Sequence, residues 1–310
     1  MLKIVGFDRR EKSVSKEFRR IGIIGGTGLG QTLAQKTQGT TYDLDTPFGK
    51  PSSPIITAEM NSVPIAFLAR HGHGHRFNPS CVPYRANIHA LKQLGVTHII
   101  ASGACGSLVE EIVPRDLVIP DQVMDKTFKR PNSFFDGHLA VHVDFAYPFC
   151  EKLRQLLLSV ADKINTNVHA SGTYICMEGP QFSTRAESLL HKQWGGHLIG
   201  MTCMPEAKLA REAEICYALV ALTTDYDCWK PHDGDADKHA LMQEIIANVN
   251  AATANAVTLI TAAVAQAADI LQSDCEHHHA LELGIWSDKS QVHDPTWQKL
   301  KFLLEKYIDQ

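Results

Sequence analysis

Two carboxylates stand two residues apart in Thr223-Thr224-Asp225-Tyr226-Asp227-Cys228-Trp229, directly after the apolar run 216–222. A run of that length reads as a strand. It puts Asp225 and Asp227 at the strand's end, and their spacing turns both side chains the same way. Strand ends are where α/β folds bind ligands. A carboxyl pair placed there accepts hydrogen bonds from an amino group and can hand a proton to a ring nitrogen. Adenine presents both needs, an exocyclic N6 donor beside a basic N7. An acidic pair after a strand is also ordinary turn composition, so other motifs must decide.

Three of them suit an anion. Ile24-Gly25-Gly26-Thr27-Gly28-Leu29-Gly30 follows a strand, and glycines let backbone amides approach phosphate while Thr27 adds a hydroxyl. Its spacing misses the dinucleotide fingerprint, and it lacks the Gly-Lys-Ser/Thr ending of a P-loop. Leu68-Ala69-Arg70-His71-Gly72 ends another strand with a fixed cation and an imidazole. Gly200-Met201-Thr202 ends a third, with a hydroxyl in reach of an anion. Ser102-Gly103-Ala104-Cys105-Gly106-Ser107 offers backbone amides, and Phe182 in the segment 177–185 offers a ring to a flat base. Taken together these loops imply one site for phosphate and a nitrogen-rich ring. His71, His73 and His75 alternate, but no carboxylate or cysteine set completes a coordination sphere there. The run Cys275-Glu276-His277-His278-His279 reads as an exposed polar turn, so no metal is expected.

The elements that must position these groups alternate in type. Strand-like runs fall at 21–24, 63–69, 98–101, 117–119, 173–176, 198–200 and 216–222. Helical patterns fall at 84–94, 150–161, 185–194, 206–214 and 241–271. Alternation of this kind predicts an α/β fold: one domain, a central mixed sheet flanked by helices. Residues 1–19 read as a charged arm, 20–271 as one core, and 272–310 as an extension ending in a helix with Trp297, Leu300, Leu304 and Tyr307 on one face. That helix would cap its own subunit or a neighbour.

Composition excludes several classes. The 310 residues are 44% hydrophobic and 21% charged, with a net charge of −4, which argues against a general nucleic-acid or anionic-membrane binder. The sequence reading finds no apolar run of membrane-spanning length and no signal peptide. Eight cysteines without a Cys-x-x-Cys pair read as reduced, buried thiols of a cytoplasmic protein.

The ordered motifs 21–29, Thr46-Pro47-Phe48-Gly49-Lys50-Pro51, Arg70-His71-Gly72, Tyr84-Arg85-Ala86-Asn87-Ile88, Ala104-Cys105-Gly106-Ser107-Leu108, Glu178-Gly179-Pro180-Gln181-Phe182-Ser183, Met201-Thr202-Cys203-Met204-Pro205-Glu206 and Thr224-Asp225-Tyr226-Asp227-Cys228-Trp229 resemble those of the trimeric purine nucleoside phosphorylases. The likeness is greatest to the branch that cleaves 5′-methylthioadenosine, and it runs from about residue 20 to 270. The 6-oxopurine branch carries Asn where Asp225 stands. The resemblance implies that Thr27, Arg70, His71 and Thr202 hold phosphate with the Ala104 backbone, and that Met201 touches ribose. It implies that Phe182 walls the base beside Ser183, and that Thr224, Asp225 and Asp227 read adenine. His142 would be lent to a neighbour's site in a homotrimer. The implied activity is phosphorolysis of 5′-methylthioadenosine to adenine and 5-methylthioribose 1-phosphate. Inorganic phosphate is the co-substrate, with no cofactor.

Three departures stand out. Gly103 replaces a usual Thr. Leu241 and Met242 suit an apolar 5′ pocket, whereas Lys238 or His239 would suit a 5′-hydroxyl. Residues 272–294 have no counterpart in the family pattern. An adenosine- or methylthioinosine-preferring phosphorylase and a noncatalytic nucleoside-binding protein remain the alternatives.

Overall fold

The computed structural model describes residues 19–26, 39–137, 139–231, 238–292 and 294–308. Its centre is an eleven-stranded mixed sheet. The strands are β1 (Arg20–Gly25), β2 (Thr40–Tyr42), β3 (Ile55–Met60), β4 (Val63–Ala69), β5 (Val96–Ser107), β6 (Leu117–Val118), β7 (Gln122–Lys126), β8 (Val168–His169), β9 (Thr173–Met177), β10 (Leu198–Gly200) and β11 (Cys216–Tyr226). Seven of them hold the runs read from sequence. The short or half-polar β2, β3, β7 and β8 carry no clear apolar run and were not read.

β1 lies parallel between β4 and β5, and β5 is parallel to β11 on its other side. β1 and β4 end level with one another at Gly25 and Ala69, where β5 has reached residues 101–102, while β5 and β11 run on as a pair that carries the 103–105 stretch and Asp225 beyond that point. At Gly106 and Ser107 β5 still pairs with β11 on one side and takes β10, antiparallel, on the other. One long strand thus links both halves of the sheet at the rim.

Period-2 alternation explains how the sheet is covered. In β11, Cys216, Ala218, Val220 and Leu222 face one apolar cluster, and Tyr217, Leu219 and Ala221 face the other. The sheet is thus covered on both faces, as a central sheet flanked by helices requires. The helices are α1 (Tyr84–Gln93), α2 (Glu151–Leu158), α3 (Arg185–Gln193), α4 (Cys203–Glu212), α5 (Lys238–Ala265), α6 (Ala268–Gln272) and α7 (Asp294–Leu304). α1 ends before Gly95, whose φ of 78° only glycine adopts without strain. α4 begins two residues before Pro205, but Met204 is extended, so regular helical turns start at the proline as expected.

α5 corrects one expectation. Its stretch His239–Ala265 has the length and a mean hydropathy of 1.3 that a membrane span would need. Alanine dilutes the apolar signal in the sequence, and Ala252, Ala256, Leu259, Ile260 and Ala263 pack it against the sheet as a core helix. Its first two turns, by contrast, overhang the rim largely exposed.

The extension joins the same core. Trp297, Leu300, Leu303, Leu304 and Ile308 belong to the cluster containing α1, so α7 caps its own chain. The expected exposed turn at 275–279 is only partly one: His277 is 4% exposed. It faces inward because Arg211 and two distant cysteines lie beneath it.

Candidate active site

Arg70 leaves the end of β4 and is wholly buried. Its Nε and Nη2 donate to Glu206 Oε2 and Oε1, each at 2.8 Å, and Nη1 donates to the Ser102 carbonyl at 2.7 Å. Burial alone would weaken the charge, but the Glu206 carboxylate outweighs it and raises the Arg70 pKa above its ordinary value. Tyr217 from β11 also donates to Glu206 Oε1 at 2.9 Å. The guanidinium is thus fixed in plane and tied to the backbone of β5.

Other anion-facing groups gather around it. A Cβ placed on Gly26 would stand 3.4 Å from the Ser102 carbonyl and 3.5 Å from Arg70 Nη1, so the glycine-rich loop starts against the guanidinium. A Cβ on Gly103 would stand 3.3 Å from Thr202 Oγ1, which brings that hydroxyl to the same strand. Ala104 is exposed although Gly103 and Cys105 beside it are buried. Thr27 lies outside the described residues.

His71 follows Arg70 and is buried. Its Nδ1 lies 2.8 Å from the Phe77 carbonyl, and its ring stacks on His75 at 4.1 Å. A carbonyl only accepts, so Nδ1 carries the proton. Burial, and then the Arg70 charge, push its pKa down to about 4. The ring is neutral near pH 7 and presents Nε2 as an acceptor.

The carboxylate pair comes from the end of β11. The register of β11 on β5 shifts between Thr223 and Asp225. Thr224 donates from Oγ1 to Asp225 Oδ1 at 2.6 Å, and Asn248 of α5 holds the Thr224 carbonyl at 3.0 Å. Asp225 borders a cavity of about 520 Å³ that it shares with Arg115, Lys230, Leu241 and Ile245. Asp227 is buried, its backbone N–H donating to the Ser107 carbonyl at 2.9 Å. Its Oδ2 has no hydrogen-bond partner among the described residues. A buried carboxylate oxygen in that condition is costly unless something donates to it.

The wall between these parts is built by Arg130, which sequence reading missed. It donates to the Met201 carbonyl at 2.6 Å and to Glu178 Oε1 at 3.3 Å. Burial raises the Glu178 pKa, but hydrogen bonds from Ser80, Phe128 and Lys129 and the Arg130 charge overcome it and hold the group near about 2. Met201 packs its sulfur on Gly179. Ser183 accepts a contact from the Cys228 thiol through its carbonyl at 3.3 Å, which ties the 177–185 segment to the Asp227 loop. Glu206, Arg130 and Asn248 were the overlooked members, whereas Ser102 stood in a loop already expected to line a ligand and enters through its carbonyl. The one available signal was charge inside apolar sequence, as in Met204-Pro205-Glu206-Ala207.

Not every expected residue joins. Phe182 is 84% exposed, and Met242 is 57% exposed on the overhanging turn of α5. Leu241 lines the Asp225 cavity, His239 is exposed, and the Lys238 side chain lies outside the described residues. His142 is exposed in a separate segment. Its backbone N–H donates to the Gly284 carbonyl and its ring packs on Trp286 at 4.6 Å. It borders a second groove of about 590 Å³ with Val143, Phe145 and Lys208.

Known proteins share this sequence pattern and fold. The family model of the phosphorylase superfamily matches residues 20–265. The S-methyl-5′-thioadenosine phosphorylase of Cereibacter sphaeroides is 52% identical over 230 residues, 74% of this chain and 79% of its own. That of Gloeobacter violaceus is 44% identical over 292 residues, covering 93% and 96%. Among solved structures, a methylthioadenosine phosphorylase sourced from an antarctic soil metagenomic library superposes with a TM-score of 0.84 at 44% identity, covering 92% of this chain and 99% of that one. A mutant adenosine/methylthioadenosine phosphorylase from Schistosoma mansoni, in complex with methylthioadenosine, gives 0.78 at 35% identity, covering 87% and 99%. By sequence over most of its length and by fold, the chain belongs to the phosphorylase superfamily and, within it, to the S-methyl-5′-thioadenosine phosphorylase family.

Proposed function

We propose that this chain catalyses phosphorolysis of 5′-methylthioadenosine. The C1′–N9 bond breaks, a phosphate oxygen bonds to C1′, and adenine and 5-methylthioribose 1-phosphate are released. The observation that carries the reading is that an anion-facing group and a carboxylate pair lie along the same stretch of β5, the first against Ser102 and Gly103 and the second against Gly106 and Ser107. Arg70, His71, Thr202 and the Ala104 backbone form the first, and Asp225 and Asp227 form the second.

The roles follow from charge. As the glycosidic bond lengthens, the sugar turns cationic and the electron pair moves onto the purine. Phosphate held by Arg70 and Thr202, with Thr27 on sequence grounds, stabilises the sugar and is aligned for attack. His71 meets it through the anion's own P–OH, because Nε2 accepts. Asp225, as the acid or through a bridging water, gives N7 its proton. Asp227 Oδ2 accepts from the N6 amino group, which a 6-oxopurine cannot supply. On sequence grounds Met201 underlies the ribose and Phe182 and Ser183 flank the base. Leu241, which lines the Asp225 cavity, takes the methylthio group, and Met242, exposed on the first turns of α5, is assigned there by sequence alone. The reaction needs phosphate as co-substrate and no cofactor.

We also propose a homotrimer in which His142 reaches a neighbour's site. Supporting it, His142 is exposed and braced by a tail residue, Trp286, that is itself 72% exposed. Eight free cysteines favour a cytoplasmic setting.

The test is base release by purified protein from 5′-methylthioadenosine, adenosine and methylthioinosine, with and without phosphate. Phosphate-dependent adenine release that favours methylthioadenosine supports the proposal. Preference for adenosine would move the 5′ assignment to Lys238 or His239. No release in the presence of phosphate would leave a binding protein.

A further inference from the structure

At the opposite end of β11 from Asp225, three cysteines distant in sequence come together. Cys216 opens β11, Cys150 immediately precedes α2, and Cys275 follows α6. Their sulfurs and a ring nitrogen of His277 all lie within 4.8 Å of one another. The Cys150 and Cys275 sulfurs are 3.8 Å apart. Cys150, Cys216 and His277 are buried, and Cys275 keeps partial exposure.

We propose that Cys150, Cys216, Cys275 and His277 bind one zinc ion, which fastens the C-terminal extension to the body of the fold. Three thiolates and an imidazole are a structural donor set for zinc. Tetrahedral zinc with metal–sulfur bonds of about 2.3 Å separates two bound sulfurs by about 3.8 Å, the spacing of the Cys150 and Cys275 sulfurs. The partly exposed Cys275 gives the ion a way in.

The surroundings fit a bound cation as well. Zinc with three thiolates and a neutral imidazole carries one net negative charge, and Arg211 stands beside it, 2.8 Å from His277 Nε2. Arg211 can only donate, so coordination by a neutral His277 requires it to release that nitrogen. It keeps two other acceptors, the Asp144 and Tyr147 carbonyls. On the other side of Cys216 stand His278, with Nε2 at 3.5 Å from the sulfur, and buried His98, whose Nε2 has no hydrogen-bond partner among the described residues. Of the two imidazoles, His278 lies within hydrogen-bond reach of the Cys216 sulfur. Zinc uptake displaces three thiol protons to solvent and involves no redox step.

The consequence is mechanical. From His277 the extension runs to Ile285 and Trp286, which bridge to Val141 and pack on His142. Metal at the cysteine cluster would therefore set the base of the segment that braces His142. The site lies apart from Arg70 and the carboxylate pair, so the proposal is independent of the assigned reaction.

The experiment is metal analysis of the full chain purified under reducing conditions, followed by cobalt substitution. One zinc per chain is expected, with the intense near-ultraviolet sulfur-to-cobalt band of a tetrahedral thiolate site. Cys216→Ala and Cys275→Ala should lose both, whereas Cys81→Ala, at an exposed cysteine outside the cluster, should keep both. Chelation should lower the Tm of the wild-type protein and leave that of Cys275→Ala unchanged. His277→Ala should alter the visible cobalt bands and retain the sulfur band; an unchanged spectrum would overturn His277 as the fourth ligand. Wild-type protein that takes up neither zinc nor cobalt, or that isolates with a Cys150–Cys275 disulfide on mass spectrometry, would overturn the site. The wild-type cobalt titration decides the matter even if a cysteine variant fails to fold.

Discussion

Arg70 and Glu206 meet as a flat, doubly hydrogen-bonded pair, with both contacts at 2.8 Å and both side chains sealed from solvent. The pair joins the end of β4 to α4, and its charge balance is what allows a guanidinium to stay buried at the anion-facing rim. Glu206→Gln keeps the shape but turns an amide donor toward a donor and leaves the cation unbalanced. A loss of about 3–5 kcal/mol is expected from breaking a buried pair at one partner. In the surviving folded enzyme the KM for phosphate should rise about tenfold or more while the KM for nucleoside moves little. Denaturant melts and paired KM measurements check this, and an unchanged phosphate KM would show that Glu206 does not position Arg70.

Asp227 and Asp225 should separate in their effects. Asp227→Asn presents an amide that can point its N–H at the purine 6-position, so adenine nucleosides should lose about 100-fold in kcat/KM. That scale matches the roughly 1–3 kcal/mol cost of leaving a buried polar group without its partner. Asp225→Asn removes the acid at N7, which should depress kcat for adenine nucleosides and admit inosine. Competition between 5′-methylthioadenosine and methylthioinosine reads both at once. Unchanged adenine selectivity in Asp225→Asn would remove that residue from the N7 role.

Much of this site was legible because the chain writes strands as apolar runs and puts chemistry directly after them. The 63–69 and 198–200 runs matched β4 and β10 to the residue, and Arg70, His71 and Thr202 followed from position alone. What escaped reading was whatever depends on distance in sequence. Glu206 looks like one charge in an apolar helix until Arg70 arrives from 136 residues away. The half-polar β3 and β7 lack a run because each has a partly exposed face. Cys150, Cys216 and Cys275 have no spacing pattern, so only the fold can bring their sulfurs together. Phe182, assigned as a base wall, stands 84% exposed on its loop, and nothing in local sequence encodes that orientation.

Gly103 offers a test of crowding at the anion-facing rim. An added Cβ there would stand 3.3 Å from Thr202 Oγ1, tighter than ordinary van der Waals contact, so the hydroxyl must give by a few tenths of an ångström. Gly103 has no positive φ, so alanine meets no backbone strain. Gly103→Ala should therefore raise the KM for phosphate several-fold through displaced Thr202, with little change in Tm. Gly103→Ala combined with Thr202→Ala should show less than the sum of the two single effects. Additive effects would mean that Gly103 acts on phosphate by some route other than Thr202.

Acid should loosen the C-terminal helix through His89. The ring is buried between Phe48 at 5.6 Å and Phe302 of α7 at 5.4 Å. Burial drives its pKa down to about 4, which the nearby Gln93 side chain opposes only in part; neither ring nitrogen has a hydrogen-bond partner among the described residues. The unfolded chain holds the same group at its ordinary value of 6.5, so between those values the unfolded state binds a proton that the folded state refuses. The contribution is therefore fully present above pH 6.5 and is lost as the pH falls toward about 4, at most on the order of 3 kcal/mol. His71, also held near about 4, adds a loss of the same sign. The Tm should fall steadily from pH 7 to pH 5, and His89→Phe, which keeps an aromatic ring between Phe48 and Phe302, should flatten that slope. Near pH 7, where His89 is neutral in either state, the two proteins should differ much less. An identical slope in the variant would assign the acid sensitivity to His71 and the other buried histidines instead.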